Sequence, residues 1–255
     1  MTTPAPLVAS RSRSRLVALL VYTWRSCFPP KRWAAILLPC AGALLFGLLA
    51  HAIEFGADRA FANVAAEGIF ALMMPITALV IGDSVLGAEM RSGTFHFTWL
   101  SPTPIWQIVL ARWIGGSVVA IVTIAPAAAL AAVVAGSPTS AGPAFLAAVV
   151  GSTTYVAIFI AIGCLTRRTA VWSLAFVFLI ERLLGAALTG IAQLSPTWES
   201  RAIFVGLLDH PPLRVQRDGI PEGGAAVVRL LIVTAVVLTL ANWRMRHLRL
   251  SGATD

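Results

Sequence analysis

Charged side chains are scarce in this sequence. Only 12% of its 255 residues are charged, whereas 58% are hydrophobic, and the mean hydropathy is +0.84. A soluble domain of this size carries about 25% charged residues. The deficit in charge, together with long apolar runs, indicates that lipid rather than water surrounds much of the surface.

Lysine is nearly absent. Lys31 is the one lysine among 19 basic residues, and it follows two prolines instead of a glycine-rich run. A nucleotide-binding loop of the Walker A type needs a lysine that reaches the terminal phosphates. We therefore expect no nucleotide site and no other cofactor within this chain. The formal charge of +8 is expected to lie at the cytoplasmic edges of a membrane protein rather than on a surface that binds nucleic acid.

Catalytic and metal-binding patterns are also missing. The four histidines are isolated, no HExxH occurs, and the three cysteines show no CxxC spacing, which disfavours a metal site and a disulfide framework. Gly82-Asp83-Ser84 resembles the GxS of an intramembrane serine protease only superficially, because no histidine lies inside a span at the depth of Ser84. The sequence therefore predicts a protein that is not itself an enzyme.

Six apolar stretches are long enough to cross ~30 Å of hydrocarbon at ~1.5 Å per residue. They are Trp33–Ile53, Val64–Leu86, Ile108–Ala135, Pro143–Leu165, Thr169–Ala192 and Ala225–Trp243. Pro39, Pro75 and Pro126 lie in the interior of three of them, which a span tolerates because neighbouring helices satisfy the freed carbonyl groups. The predicted fold is an all-α membrane domain with six transmembrane helices.

The basic residues orient these spans. With the N-terminus inside, 13 basic residues lie on the cytoplasmic side, five lie outside and Arg182 lies within a span, as the positive-inside rule requires. Tryptophan gives a second signal, because four of these rings stand at cytoplasmic ends of spans, where amphipathic rings favour the headgroup layer. The four are Trp33, Trp113, Trp172 and Trp243. We therefore expect both termini in the cytoplasm, and the bias toward Arg, Ala and Val favours a bacterial inner membrane.

The spans divide the chain into three parts. Residues 1–32 form a cytoplasmic N-terminus, residues 33–243 form the transmembrane domain, and residues 244–255 form a cytoplasmic tail. The transmembrane domain contains an inner loop at residues 87–107 and an outer loop at residues 193–224.

Two helices are predicted outside the spans. In Ser14–Phe28, apolar residues at helical spacing form one stripe, which predicts an amphipathic interfacial (elbow) helix along the inner leaflet. In the outer loop, Ser200–His210 predicts a short helix that lies against the outer surface.

Charged residues inside the spans need partners. Glu181 and Arg182 lie about twelve residues into the fifth span, where an unpaired charge costs ~2.5–3.5 kcal/mol. Adjacent residues point ~100° apart on a helix, so these two do not simply neutralise each other. They predict a polar transport pathway or, alternatively, an ion pair within the bundle or at a subunit interface. Asp83, near the cytoplasmic end of the second span, is expected to be hydrated or to cap a helix.

The order of these parts resembles the ABC-2 family of ABC-transporter permeases. The local similarity is carried by Glu89-Met-Arg-Ser-Gly-Thr-Phe, Leu100-Ser-Pro-Thr-Pro and Ile108-Val-Leu-Ala-Arg112. This run is similar to the family's acidic–basic–small–Gly–Thr segment, to its serine–proline step, and to the basic residue at the start of its third span. That basic residue is usually lysine in the family and is Arg112 here.

The resemblance implies the transmembrane subunit of an ATP-driven exporter. Such permeases pair two membrane subunits, identical or paralogous, with two cytoplasmic subunits that bind ATP and Mg²⁺. The N-terminal helix and a coupling segment are then expected to dock on the ATPase and to convey its closure. The coupling segment comprises Glu89, Arg91, Ser92, Gly93, Thr94 and Phe95.

The substrate and the class of transporter stay open at this point. Drugs, antibiotics, lipids and peptides all fit an apolar pathway with one charged pair. The alternative to an exporter subunit is a secondary transporter or channel that uses Glu181 and Arg182 for ion coupling.

Overall fold

The structure is a computed structural model that describes most of the chain. The described residues are 17, 19–25, 33–53, 56–87, 89, 103–166, 168–184, 195–208 and 223–247, without the side chains of residues 33–38, 180 and 182–184. Of the described residues, 92% are helical and none lies in a strand. The predicted all-α class is therefore confirmed.

Seven helices organise this described part. They are α1 (Trp33–His51), α2 (Ala57–Gly87), α3 (Ile105–Val134), α4 (Ala141–Leu165), α5 (Thr169–Ala175, continued by Phe176–Leu184), α6 (Pro196–Gly206) and α7 (Gly223–Arg246). Residues 17 and 19–25 are also helical, and a short 3₁₀ turn, Pro138–Ser140, precedes α4.

Four of the described helices are long and apolar enough to cross a membrane. They are Ala57–Gly87, Ile105–Val134, Pro138–Leu165 and Gly223–Arg246, and they contain most of the second, third, fourth and sixth predicted spans. Helices also occupy the first and fifth predicted spans, where the described apolar stretches, Pro39–His51 and Thr169–Leu179, are shorter. These helices support the prediction of a membrane protein.

The long helices run in alternate directions, which gives the fold two ends. At one end the Ser137 hydroxyl, just after α3, donates to the Asp58 carboxylate at the start of α2. At the other end Arg112, near the start of α3, contacts Glu89, just after α2. We call these the Asp58 end and the Glu89 end.

α4 occupies the centre of the fold. It packs against α2, α3, α6 and α7, and its Tyr155 and Phe159 side chains are fully buried. Small residues bring its neighbours close: a Cβ atom added to Gly82 of α2 would lie 2.6 Å from the Phe159 Cβ atom. Because lipid gives helices no hydrophobic reason to associate, close packing of this kind and interhelical hydrogen bonds hold such a bundle together.

Three π-helical segments interrupt the described helices. Ala65–Met73 and Asp83–Gly87 lie in α2, and Phe176–Leu184 lies in α5. Pro75 stands just after the first of them, where its missing N–H and its ring disfavour regular α-helical bonding in the preceding turn. Such segments are rare and often occur at functional sites, and each of these three carries or contacts a polar group described below.

The helix predicted at Ser200–His210 was wrong in its bounds and in its surroundings. The observed helix, α6, begins four residues earlier, because Ser195 caps the Trp198 N–H group and Pro196 occupies the first turn, a strong start signal. α6 does not lie on the surface: it packs against α2, α4 and α7, and Phe204 is fully buried against Phe61 and Phe70.

Replacing Gly82 with Ala should weaken the contact between α2 and α4. The added Cβ atom would lie 2.6 Å from the Phe159 Cβ atom, and overpacking of this kind costs ~1–3 kcal/mol. Gly142→Ala is the matched control in α4, because no packing neighbour among the described residues lies within 4 Å of its added Cβ atom. Unfolding in mixed detergent–SDS micelles measures both variants. Equal stability of the two would contradict this packing.

Candidate functional site: two buried polar junctions

A buried ion pair stands at the Glu89 end. Arg112 is 1% exposed, and its Nη2 atom donates to both carboxylate oxygens of Glu89, at 2.7 and 2.8 Å. Its Nη1 atom donates to the Val85 carbonyl at 3.0 Å, and Val85 lies in the π-helical segment Asp83–Gly87. In such a pair each charge depends on the other, because removal of one leaves the other buried and uncompensated, at a cost of ~3–5 kcal/mol.

The helical residues 19–25 complete this junction. The Arg112 Cζ atom lies 5.0 Å from the centroid of the Tyr22 ring, within the range of a cation–π contact. Thr23 is fully buried, and a Cβ atom added to Gly115 of α3 would lie 2.8 Å from its Cγ2 atom. Residues 19–25 therefore lie across the start of α3, and Arg112 connects three elements: these residues, Glu89 and the end of α2.

The junction also changes the acidity of Tyr22. Partial burial raises the pKa of this phenol above 10, and the negative charge of Glu89 and its hydrogen bond raise the pKa further, while Arg112 opposes them. The ring is half exposed, so Tyr22 shields the ion pair on one side and faces the surroundings on the other.

The coupling segment predicted from the sequence is described at one residue. Glu89 is 7% exposed, and its carboxylate is turned toward Arg112 rather than toward the surroundings. Arg91, Ser92, Gly93, Thr94 and Phe95 lie outside the described residues. The structure therefore assigns Glu89 an internal contact that sequence reasoning did not predict.

A second junction surrounds Glu181 in α5. Its Oε2 atom accepts a hydrogen bond from the Tyr155 hydroxyl of α4, and its Oε1 atom accepts one from the Ser195 hydroxyl at 2.5 Å. The Thr197 N–H group also donates to Oε1, at 3.4 Å. Tyr155 and Ser195 are buried. Hydrogen bonds to a charged group contribute ~1.5–3 kcal/mol each, so this carboxylate holds α4, α5 and the start of α6 together.

The start of α6 suits a carboxylate. The first turn of a helix carries free N–H groups and the positive end of the helix dipole, and here these face Glu181. The 11 residues of α6 are ~16 Å long at ~1.5 Å per residue, about half of ~30 Å of hydrocarbon. Its buried start meets the middle of α4 at Tyr155, and its Gly206 end lies against Gly223 at the start of α7.

The first π-helical segment of α2 offers carbonyl groups to α6. The Arg201 Nε atom donates to the Ala66 carbonyl at 2.9 Å, and the Thr197 hydroxyl lies 3.5 Å from the Phe70 carbonyl. In a π-helix the carbonyl of Phe70 would pair with the N–H group of residue 75, and Pro75 has none. Thr197 stands at this carbonyl instead.

Two ion pairs hold α6 further along its length. Arg201 Nη2 lies 2.9 Å from Glu67 Oε1 of α2, and Arg229 Nη1 of α7 lies 3.2 Å from Glu199 Oε1. The Glu199 side chain is 1% exposed, whereas that of Arg229 is 42% exposed. α6 is therefore fastened by charged or polar contacts to α2, α4, α5 and α7.

The remaining predicted polar residues lie in different places. Asp83 lies at the Glu89 end, with its carboxylate over Gly87, as expected for a residue near the end of the second span. The side chain of Arg182 lies outside the described residues. Tyr155 and Ser195 were missed, although one tyrosine in the middle of a span and a Ser-Pro step are both signals that a search for partners of Glu181 would find.

The titration of Tyr22 tests the first junction. Because its pKa is raised in the folded chain, the unfolded chain ionises first, near the ordinary value of ~10. Neutral Tyr22 therefore stabilises the fold fully below about pH 10, and this contribution is lost as the pH rises through the folded pKa. Since the chain has two tyrosines, the difference in phenolate absorbance between the wild type and Tyr22→Phe isolates this group.

Glu89→Gln should lower the pKa of Tyr22, because it removes a negative charge beside the phenol. Glu67→Gln, which neutralises an exposed carboxylate of α2, serves as the control and should leave the titration unchanged. If the pKa of Tyr22 were the same in Glu89→Gln as in the wild type, this arrangement would be ruled out.

Tyr155→Phe should loosen α6. The substitution removes the hydroxyl that donates to Glu181, a loss of ~1.5–3 kcal/mol, which corresponds to about tenfold or faster local opening at ~1.4 kcal/mol per factor of ten. Hydrogen exchange of residues 200–206 measures this opening. The control is Thr153→Val, since the Thr153 hydroxyl donates to the Val150 carbonyl of its own helix. Equal exchange in both variants would show that Tyr155 does not anchor α6.

No protein-family model matches this chain, and no curated protein matches it. The role of the two junctions must therefore be inferred from their own residues. At the Glu89 end it is a buried ion pair that connects three elements, and around Glu181 it is a carboxylate held by hydroxyl groups and by the start of a helix.

Proposed function

We propose that this chain is the transmembrane permease subunit of an ATP-driven ABC exporter. In this proposal it crosses a bacterial inner membrane six times, with an N-terminal elbow helix and with both termini in the cytoplasm. It forms the translocation path with a second copy or a paralogue, and a separate subunit binds ATP and Mg²⁺. The substrate belongs to the drugs, antibiotics, lipids or peptides that an apolar path admits.

The junction around Arg112 carries this proposal. The two regions that the family resemblance assigns to ATPase docking are the N-terminal helix and the segment that begins at Glu89. Both contact the same guanidinium group, on the first turns of a 30-residue helix that reaches the Asp58 end. A displacement of either region is therefore passed to α3 through contacts that are buried and directional.

The Glu89 carboxylate has a specific part in this mechanism. Because it neutralises Arg112 inside the protein, it positions the start of the coupling segment relative to α3. Docking on a partner then falls to residues 91–95 and to the N-terminal helix, whose exposed apolar residues Val17, Val21 and Trp24 are left to face the inner leaflet.

A secondary transporter is the second candidate. The observation that favours it is α6, a short helix whose positive end meets the partly buried Glu181 carboxylate near the middle of α4. Discontinuous helices of this kind surround the binding sites of many ion-coupled transporters. In this chain, however, the described donors around Glu181 belong to the protein itself and fasten α6.

Purification separates the two candidates. We expect the chain, solubilised in mild detergent from its native host, to bring with it a subunit that binds ATP. Reconstituted transport should then require ATP hydrolysis. Transport that persists without ATP and follows an ion gradient would contradict the exporter and support the secondary transporter.

Arg112→Lys tests the coupling role of the junction. Lysine keeps the charge, but its single ammonium group does not reproduce the planar fork that contacts Glu89 and the Val85 carbonyl. We expect the ATPase to remain bound while transport per ATP hydrolysed falls severalfold. Arg168→Lys, at an exposed arginine of the same end, is the matched control. Unchanged coupling in Arg112→Lys would remove the junction from the mechanism.

A further inference from the structure

Glu199 differs from the carboxylates of the two junctions, buried Glu89 and partly buried Glu181. Glu89 contacts Arg112 through both oxygens, and Glu181 accepts from hydroxyl and N–H donors on both oxygens. Among the described residues, the Glu199 carboxylate has one partner, Arg229, at 3.2 Å from Oε1. Its Oε2 atom is buried and has no hydrogen-bond partner in the part of the chain that the structure describes.

This arrangement favours the neutral acid. A buried carboxylate with an unsatisfied oxygen is costly in its charged form, and protonation removes that charge. Arg229 does not depend on Glu199 in the way that Arg112 depends on Glu89, because 42% of the Arg229 side chain is exposed, against 1% for Arg112. Glu199 is thus able to take a proton without leaving a buried cation unpaired.

The charged and titratable groups around α6 are known for each neighbouring helix in the described part. α7 supplies Arg229, α2 supplies Glu67, which is paired with Arg201 of α6, and α5 supplies Glu181. α4 supplies the Tyr155 phenol, which donates to Glu181. Of these groups, Arg229 is the one that contacts Glu199, so it sets how readily Glu199 gives up a proton.

We propose that Glu199 is a proton-binding site and that a proton bound there releases the hold of α6 on α7. An O–H bond forms at the Glu199 carboxyl group, with a proton that water delivers along the exposed side of Arg229. The ion pair becomes a neutral acid beside a solvated guanidinium group. α6 then remains attached through Glu181, Tyr155 and the α2 carbonyl groups, but no longer through a charge on α7.

The proton site does not depend on the exporter assignment. It requires neither an ATPase nor a transported substrate, and the purified full-length chain is sufficient to test it. Its failure would therefore leave the proposed function standing, and the reverse also holds.

Infrared difference spectroscopy of the full-length chain in lipid tests the site directly. A protonated carboxyl band should be lost as the pH is raised between about pH 5 and pH 9, the range that buried Glu side chains reach. Glu199→Gln should remove this band. Glu67→Gln is the control: it neutralises an exposed carboxylate of α2 beside α6 and should leave the band in place.

Two outcomes would overturn the proposal. One is a Glu199 carboxylate that stays ionised throughout this range, as a bound water on Oε2 would produce. The other is an ionised Glu199 whose vibration and whose protein stability follow the Na⁺ concentration, which would make the site one for a small cation.

Variants of Arg229 give an independent measurement. Arg229→Gln should raise the midpoint of the band by about 1 pH unit or more, because an opposite charge at this distance favours the ionised acid. Arg229→Lys keeps the charge and should leave the midpoint nearly unchanged. Identical midpoints in both variants would overturn the role of the ion pair, and this comparison does not rely on Glu199→Gln folding normally.

Hydrogen exchange tests the release of α6. After correction for intrinsic exchange rates, residues 200–206 should exchange faster below the midpoint than above it. Glu199→Gln should hold the faster rate at every pH. Exchange in this variant that equals the wild type above the midpoint would show that α6 does not respond to the proton.

Discussion

A polar group inside a lipid-surrounded bundle has to find its partner within the protein. Water does not satisfy it there, and an unpaired charge is expensive. Arg112 and Glu181 follow from this constraint: each draws together elements that are distant in sequence. The apolar helices supply most of the packing, but the apolar surface of one helix is much like that of another. The polar junctions determine which helices are neighbours and at which residues along their length they contact each other.

The π-helical segments make those junctions possible. A widened turn breaks the regular pairing of backbone groups, and side chains from other elements meet carbonyl groups there. Val85 accepts from Arg112, Ala66 accepts from Arg201, and Phe70 faces Thr197. Glu181 itself lies in the third segment. π-helical backbone and charged or polar side chains therefore occur together, because the carbonyl groups of the widened turns accept hydrogen bonds from those side chains.

Hydropathy and helix length were sufficient to predict the helical class and most of the four helices that are long and apolar enough to cross a membrane, because the membrane imposes a length on apolar helices. The charge at Glu181 was also recognised as a residue that needs partners. The partners themselves were not predictable in this way, since Tyr155 and Ser195 meet Glu181 only through tertiary packing. A hydropathy pattern contains no record of which helices are neighbours.

The same limit applies to α6 and Glu89. Ser200–His210 was predicted to lie on the outer surface because it belongs to a loop between spans, yet Glu199 and Arg201 of α6 reach partners on α7 and α2. Glu89 was read as a contact for another protein because the family resemblance concerns a linear motif. Its pairing with Arg112, 23 positions later, depends on how α2 and α3 come together.

α6 is a neighbour that α4 and α7 share. Near their middles the two helices touch, where the Thr234 hydroxyl donates to the Thr154 hydroxyl at 3.0 Å. Toward the Asp58 end, α6 packs against both of them. The two helices therefore contact each other at mid-length and share α6 as a neighbour on the Asp58 side of that contact. An 11-residue helix thus joins two much longer helices, through a hydrogen bond to the middle of α4 and an ion pair with α7.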